Sequence, residues 1–161
     1  MTEAVTVYLG LGSNMGDRQR NLDKALEFLS QRLRMGKISS IYDTEPLGDT
    51  SQSRYLNLVC QAETRLEPTA LLALVKGIET KLGRVGKSGA PRTIDIDILL
   101  YGDKVIETPE LVIPHPKMTK RAFVLVPLDE IAPDLVHPAS GKTIRDLLKG
   151  ATEKQGILKL E

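Results

Sequence analysis

Tryptophan is absent from this chain, cysteine occurs once, and phenylalanine and histidine occur twice each. A single thiol excludes an intramolecular disulfide and fits a reducing compartment. Cys60 alternates with Leu56, Leu58 and Ala62, so it reads as buried apolar filler rather than a nucleophile. A dominant charge is missing too: 22 Lys and Arg stand against 21 Asp and Glu, a net charge of +1. That balance removes any case for wholesale attraction to nucleic acid or an anionic membrane, and leaves anion binding to local clusters. No apolar run approaches the roughly 20 residues needed to cross a bilayer, and the N-terminus lacks a basic segment followed by an apolar one. The expectation is a cytoplasmic protein with no nucleic-acid or membrane partner, taken as a monomer with an oligomer left open. With 161 residues, 41% of them hydrophobic, the chain has enough apolar material for one domain over 1–161.

Alternation and helical spacing divide the chain into elements. Val5, Val7, Leu9 and Leu11 alternate with Thr6, Tyr8, Gly10 and Gly12, a strand whose second face becomes bare. Glycines there let a ligand or another backbone come close, but a tight turn after the strand is the preferred reading. Leu22, Ala25, Leu26, Leu29 and Leu33 follow helical spacing, and Lys37 to Tyr42 reads as a second strand. Asp43 to Arg54 reads as a binding loop, Tyr55 to Thr64 as a strand, and Leu66 to Leu82 as a helix with Pro68 near its start. Gly83 to Ala90, with three glycines and two cations, is expected to be a mobile loop. Downstream, Val105 and Ile106 are assigned to a short return strand, and Pro109 to Pro116 to extended and turn segments. Phe123 to Leu128 reads as a further strand, Asp129 to Ala132 as a short turn or helix, and Thr143 to Lys149 as a closing helix. The order strand, helix, strand, strand, helix, strand predicts an α+β fold: a ferredoxin-like βαββαβ core with an antiparallel sheet, helices on one or both faces, and a C-terminal extension.

The chemistry concentrates in Pro91-Arg-Thr-Ile-Asp-Ile-Asp-Ile-Leu-Leu-Tyr101. Extended backbone puts Ile94, Ile96, Ile98 and Leu100 on one face, and Thr93, Asp95, Asp97 and Leu99 on the other. Two carboxylates then point the same way from Cα atoms about 7 Å apart. Hard oxygens so arranged suit Mg²⁺, which takes one or two protein carboxylates and completes its octahedron with water and phosphate oxygens. Alternating acids on a solvated strand face would give the same letters. Arg92 precedes the strand and Arg84 and Lys87 lie just before it, as expected where polyphosphate and metal are neutralised together. A surface ion-pair cluster remains the other reading. Gly86-Lys87-Ser88 is no P-loop, because Lys81 stands where the first glycine is required and a strand follows. Gly10-x-Gly12 lacks the third glycine of a dinucleotide fingerprint, since position 15 is Met15.

Tyr55 and Asn57 fall opposite Leu56, Leu58 and Cys60, where a ring and an amide can stack on and hydrogen-bond a flat heterocycle. His115, held between Pro114 and Pro116, lies upstream of Arg121 and Phe123. An imidazole there reads either as a phosphate contact or as a structural histidine.

Taken together, Tyr8 to Asp17 (YLGLGSNMGD), Thr44 to Gly48 (TEPLG), Tyr55 to Asn57 (YLN), Pro91 to Leu100 (PRTIDIDILL) and Pro114 to Leu128 (PHPKMTKRAFVLVPL) closely resemble the 6-hydroxymethyl-7,8-dihydropterin pyrophosphokinases of folate biosynthesis. The resemblance implies transfer of pyrophosphate from ATP to the pterin hydroxymethyl group, with ATP as cosubstrate and two Mg²⁺ ions as cofactors. It implies metal ligation by Asp95 and Asp97, and a catalytic set of Arg84, Arg92, Asp95 and Asp97. Pterin binding falls to Thr44, Glu45, Pro46, Leu47, Tyr55, Asn57, Asp95 and Phe123. ATP binding falls to Glu79, Arg84, Lys87, Arg92, Ile98, His115 and Arg121. Two departures stand out: the loop before Pro91 lacks the arginine-tryptophan pair of some members, and Pro116 replaces a tyrosine. A ferredoxin-like sensor that binds without turnover is the alternative from another class, and a metal-dependent nuclease a third.

Overall fold

Val5–Ser13 forms β1, with Val7, Leu9 and Leu11 buried on one face and Tyr8, Gly10 and Gly12 on the other. The computed structural model describes residues 3–45, 54–83, 93–151 and 156–160. Arg18–Ser30 forms α1, opened by the Asp17 carboxylate, which accepts from the Arg20 amide and satisfies one of the unpaired N–H groups of the first turn. Leu22, Ala25 and Leu29 are its buried stripe. Strands β2 (Arg34–Ile38), β3 (Tyr42–Thr44) and β4 (Tyr55–Thr64) follow, then α2 (Pro68–Lys81) with proline in its first turn, where a missing N–H costs nothing. The aspartate strand is β5 (Asp95–Tyr101). Beyond it lie β6 (Ile106–Glu107), β7 (Val112–Ile113), a 3-10 turn at Met118–Lys120, α3 (Ala122–Ile131), α4 (Ile144–Lys149) and β8 (Ile157–Lys159).

The main sheet runs β5-β1-β4-β3-β8, with β2 also paired to β4, and every pairing is antiparallel. Taking β2 and β3 as one interrupted strand, the core reads βαββαβ in the predicted ferredoxin-like arrangement. One apolar cluster joins Val7, Leu9 and Leu11 to Leu22, Leu29, Leu71 and Val75, under α1 and α2. A second joins Tyr8, Val59, Leu99 and Leu100 to Leu125, Leu128 and Ile144, under α3 and α4. Helices therefore cover both faces, and Cys60, fully buried in the first cluster, is core filler whose thiol is pushed up to about 12 by burial.

Five expectations are corrected. Phe123 to Leu128 is helix, not strand, and Asp129 to Ile131 continues it. Six apolar residues in a row carry no periodicity that separates a buried helix from a buried strand. Tertiary burial of Val124, Leu125, Pro127 and Leu128 outweighs the helix cost of Pro127. The second strand is split at Ser39 to Ile41, and Asp43 and Thr44 belong to β3 rather than to a loop. Gly10 and Gly12 lie within β1, not in a turn. Leu100 does not share a face with Ile98: the register against β1 slips so that Tyr8 faces Leu100 and Leu9 faces Ile98, leaving Leu99 as an extra residue. That bulge sends Leu99 and Leu100 to the second cluster and returns Tyr101 to the first.

The split between β2 and β3 is bridged from α3. Glu130 accepts from the Ser40 amide and hydroxyl, each 3.0 Å from Oε2, and from the Tyr42 hydroxyl at 2.7 Å. Burial pushes the Glu130 carboxyl up, but the bonds from Tyr42 and Ser40 and the charge of Lys159 leave it below its usual 4.5. A carboxyl whose folded pKa lies below its unfolded value contributes stability above about pH 4.5 that is lost as pH falls through the folded value. Glu130→Gln removes that dependence. The gap in melting temperature between wild type and Glu130→Gln should therefore narrow from about pH 6 to about pH 3, as followed by circular dichroism. A gap independent of pH would show that the carboxylate charge plays no part.

Candidate active site

Register places the site. Tyr42, Asn57, Gly12 and Asp95 lie side by side across β3, β4, β1 and β5. The neighbouring row on the same face holds Val59, Gly10 and Asp97, and the row on the other side holds Thr44 and Tyr55. Both aspartates thus stand beside glycines, on a strip of sheet with no β-carbons to crowd them. Asp95 is half-buried and Asp97 exposed, so the pair rises from the sheet toward solvent.

Gly12 is required by a close approach. A β-carbon there would lie 2.6 Å from Asn57 Oδ1 and 3.6 Å from the Tyr55 ring, well inside contact distance for the amide. Asn57, buried in the strand, donates from Nδ2 to Thr44 Oγ1 at 2.6 Å, which leaves Oδ1 over Gly12 as an acceptor. Tyr55 is half-buried. Burial and then the charge of Asp95 push its hydroxyl above the ordinary 10.0, so ring and carboxylate share one electrostatic neighbourhood.

From the opposite side of the sheet, α2 braces the aspartate strand. Glu79, 2% exposed, accepts from the Ile96 amide at 2.8 Å, midway between the two aspartates, and its other oxygen lies 3.5 Å from Lys76 Nζ. The Ile96 amide therefore points away from β1, and by the two-residue alternation of the ladder so does that of Ile98. The Ile98 side chain is buried in the core cluster under α1 and α2, which leaves only the main chain of this residue at the strand edge.

His115 follows the cis Ile113–Pro114 peptide, and its amide donates to Leu99 O at 3.0 Å, which docks the segment on β5. Nδ1 accepts from the Lys117 amide at 3.2 Å, so the ring proton sits on Nε2. Burial holds the imidazole below its usual 6.5, Asp97 opposes this, and Arg121 and Lys117 add to it. The ring is a neutral Nε2–H donor near Asp97. Arg121 immediately precedes α3, with its guanidinium 5.4 Å from the Phe123 ring centroid. Phe123, on the first turn of α3, packs against the second cluster.

Of the predicted residues, Thr44, Tyr55, Asn57 and Asp95 are brought together by register, the Asp97 charge acts on His115, and Glu79 braces Ile96 from behind. Glu45 closes β3 beside Thr44. Pro46, Leu47, Arg84, Lys87 and Arg92 lie outside the described residues, as do most of the loops expected at 43–54 and 83–90. Sequence reasoning missed the structural partners: Glu79 as a brace, and Glu130 with Tyr42. A lone acid at position 79 of an amphipathic helix was the available signal for the first.

Fold and site together define a ferredoxin-like α+β domain with an acidic pair and a polar row on one glycine-lined sheet face. Residues 8–133 match the 7,8-dihydro-6-hydroxymethylpterin-pyrophosphokinase family, and the chain belongs to it. The 2-amino-4-hydroxy-6-hydroxymethyldihydropteridine pyrophosphokinase of Aquifex aeolicus is 46% identical over 88% of this chain and 89% of its own length. The Bacillus subtilis protein of the same name is 41% identical, over 93% of this chain and 92% of its own. Among solved structures, a Plasmodium falciparum HPPK-DHPS chain superposes with a TM-score of 0.79 at 18% identity, covering 93% of this chain. This chain spans 46% of that one, under half its length, so the likeness bears on the fold.

Proposed function

We propose that this protein transfers the β,γ-pyrophosphoryl group of ATP to the hydroxymethyl oxygen of 6-hydroxymethyl-7,8-dihydropterin, releasing AMP, as a step of folate biosynthesis in the cytoplasm. The observation that carries the reading is the row Asn57, Gly12, Asp95, in which a buried amide and a carboxylate flank a glycine. Asn57 Oδ1 accepts from the pterin edge, with Thr44 holding the amide in that orientation. Tyr55 and Phe123 supply ring surface, and the main chain at Glu45, with Pro46 and Leu47 outside the described residues, belongs to the same proposed pterin set.

Asp95 and Asp97 fit Mg²⁺. Both are oxygen donors, they share a face, and among the described residues no third Asp, Glu, His or Cys joins them to close a protein cage. Such a pair leaves coordination positions for phosphate and water. Two Mg²⁺ ions bound there supply charge neutralisation of the triphosphate and polarisation of the acceptor hydroxyl. His115 offers its Nε2–H to a phosphate oxygen, and Arg84, Lys87, Arg92 and Arg121 add positive charge. No covalent nucleophile is invoked, because transfer of this kind asks chiefly for alignment and electrostatic stabilisation. Glu79 serves the nucleotide end by fixing the backbone of β5 at Ile96, and Ile98 contributes a main-chain contact to the nucleotide. No described helix is long and apolar enough to cross a membrane, and the reading requires only small-molecule partners and one copy of the chain.

Incubation with ATP, Mg²⁺ and hydroxymethyl-dihydropterin should yield AMP in step with pterin diphosphate. Accumulation of ADP, or tight binding without product by the folded protein, would replace this reading with an ordinary kinase or a sensor.

A further inference from the structure

Arg54 stands immediately before Tyr55, and one further step of the β3–β4 register sets it opposite Glu45. Strand alternation turns its side chain to the face away from Tyr55 and Thr44. There it joins three stretches of chain. Its Nε donates to the Asp43 carboxylate, and its Nη2 donates to Asp43 O and to Gly156 O, each at 3.2 Å. Glu45 Oε1 lies 3.9 Å from Nη1. The Arg54 carbonyl accepts from Arg18 Nη1 at 2.7 Å, which ties this point to the start of α1.

The C-terminal strand closes the same knot. The Glu45 amide donates to Gly156 O at 3.1 Å, and the Gly156 amide donates to Glu45 Oε1 at 3.2 Å. A β-carbon at position 156 would fall 2.3 Å from that oxygen, so this contact depends on glycine. From here β8 continues along β3, pairing Ile157 with Thr44, Leu158 with Asp43 and Lys159 with Tyr42. Strand β3 has three residues, and among the described residues β8 is its sheet neighbour on the outer side. Thr44 is therefore flanked by Tyr55 on one side and Ile157 on the other, while its hydroxyl holds the Asn57 amide.

We propose that Arg54, clasping Asp43, Glu45 and Gly156, is a positioning residue for the pterin end of the site, and that β8 is part of the same device. It acts through Thr44, Tyr55 and Asn57, not on the substrate. The inference rests on the pyrophosphokinase reading above. The Arg54 side chain is 36% exposed and that of Asp43 22%, so water screens the pair and its worth to global stability is small. Its consequence is geometric. Released from Arg54, the edge of β3 moves relative to β4, and the Thr44–Asn57 bond loses its alignment.

Steady-state kinetics and pterin titration of the full-length chain test this with Arg54→Ala, Arg54→Lys and Leu158→Pro. Ladder bonds at Glu45 to Gly156 and at Leu160 to Ile41 place the Leu158 amide in the same hydrogen-bonded series, facing Asp43, and proline removes it. Arg54→Ala should raise the KM and Kd for the pterin about five- to tenfold, with the KM for ATP and kcat within about twofold. Arg54→Lys should fall between, since it keeps the charge but not the fork of donors. Leu158→Pro should repeat the pterin-selective pattern. An unchanged pterin KM in Arg54→Ala, or an equal rise for both substrates, overturns the inference whatever Leu158→Pro does. Absence of AMP formation by the wild-type protein would instead overturn the functional reading, and the two failures are distinct.

Discussion

Asp97→Ala is expected to lower kcat by about 10³-fold while leaving the pterin dissociation constant within about threefold. The asymmetry follows from the register. Asp95 shares a row with Gly12 and Asn57, whereas Asp97 lies one row further on beside Gly10, about 7 Å along the strand. Asp97 is also the exposed member, paired electrostatically with His115 rather than with Tyr55. Its carboxylate belongs to the phosphate end, so its loss removes charge stabilisation that matters most in the transition state. Asp95→Ala should differ by weakening pterin binding and turnover together. Single-turnover rates and a pterin titration on each variant separate the cases. An Asp97→Ala enzyme that kept its rate and its Mg²⁺ dependence would remove the metal assignment.

Gly12→Ala should raise the KM for the pterin by about 30- to 100-fold, an effect of roughly 2–3 kcal/mol. The added methyl would sit 2.6 Å from Asn57 Oδ1. Strand β1 is hydrogen-bonded on both sides, to β4 and β5, so the backbone has no room to retreat and the amide must move instead. Moving it breaks the 2.6 Å bond to Thr44 and turns the acceptor away from the ligand. A buried polar group left without its partner is expensive, which is why the selectivity loss should be large for so small a change. The KM for ATP should rise far less. If the pterin KM stays within about threefold of wild type in a variant with an unchanged melting temperature, Asn57 is not the edge-reading group.

Much of this arrangement is legible before folding. The two-residue period of Asp95 and Asp97 gives a shared face regardless of what packs around it, and Tyr55 and Asn57 follow by the same rule. The bare strip at Gly10 and Gly12 also shows in the sequence, although its purpose does not. Only the register reveals that Gly12 lies between Asn57 and Asp95. Elements with weak periodicity are not legible in this way. Residues 123–128 are apolar on every side because α3 packs between the sheet and α4, and that environment erases the amphipathic signal. The bulge at Leu99 is equally invisible, since one inserted residue leaves no mark in a run of Ile and Leu.

Long-range partners were least accessible. Glu79 reaches Ile96 across 17 positions, Glu130 reaches Tyr42 across 88, and Arg54 reaches Gly156 across 102. Each is a charged residue whose sequence neighbours give no hint of where its side chain ends. All three brace strand segments at or beside those that carry site residues: β5, β3, and the junction of β3 with β4. The site is thus built from short-range alternation that can be read directly, held by long-range contacts that only the fold supplies.

The most direct test of the account is the fate of the β-phosphorus. With ATP labelled at that atom, hydroxymethyl-dihydropterin and Mg²⁺, the label should appear in the pterin diphosphate, while the AMP released carries none. Label recovered in ADP would contradict pyrophosphoryl transfer and assign the site to single-phosphoryl chemistry.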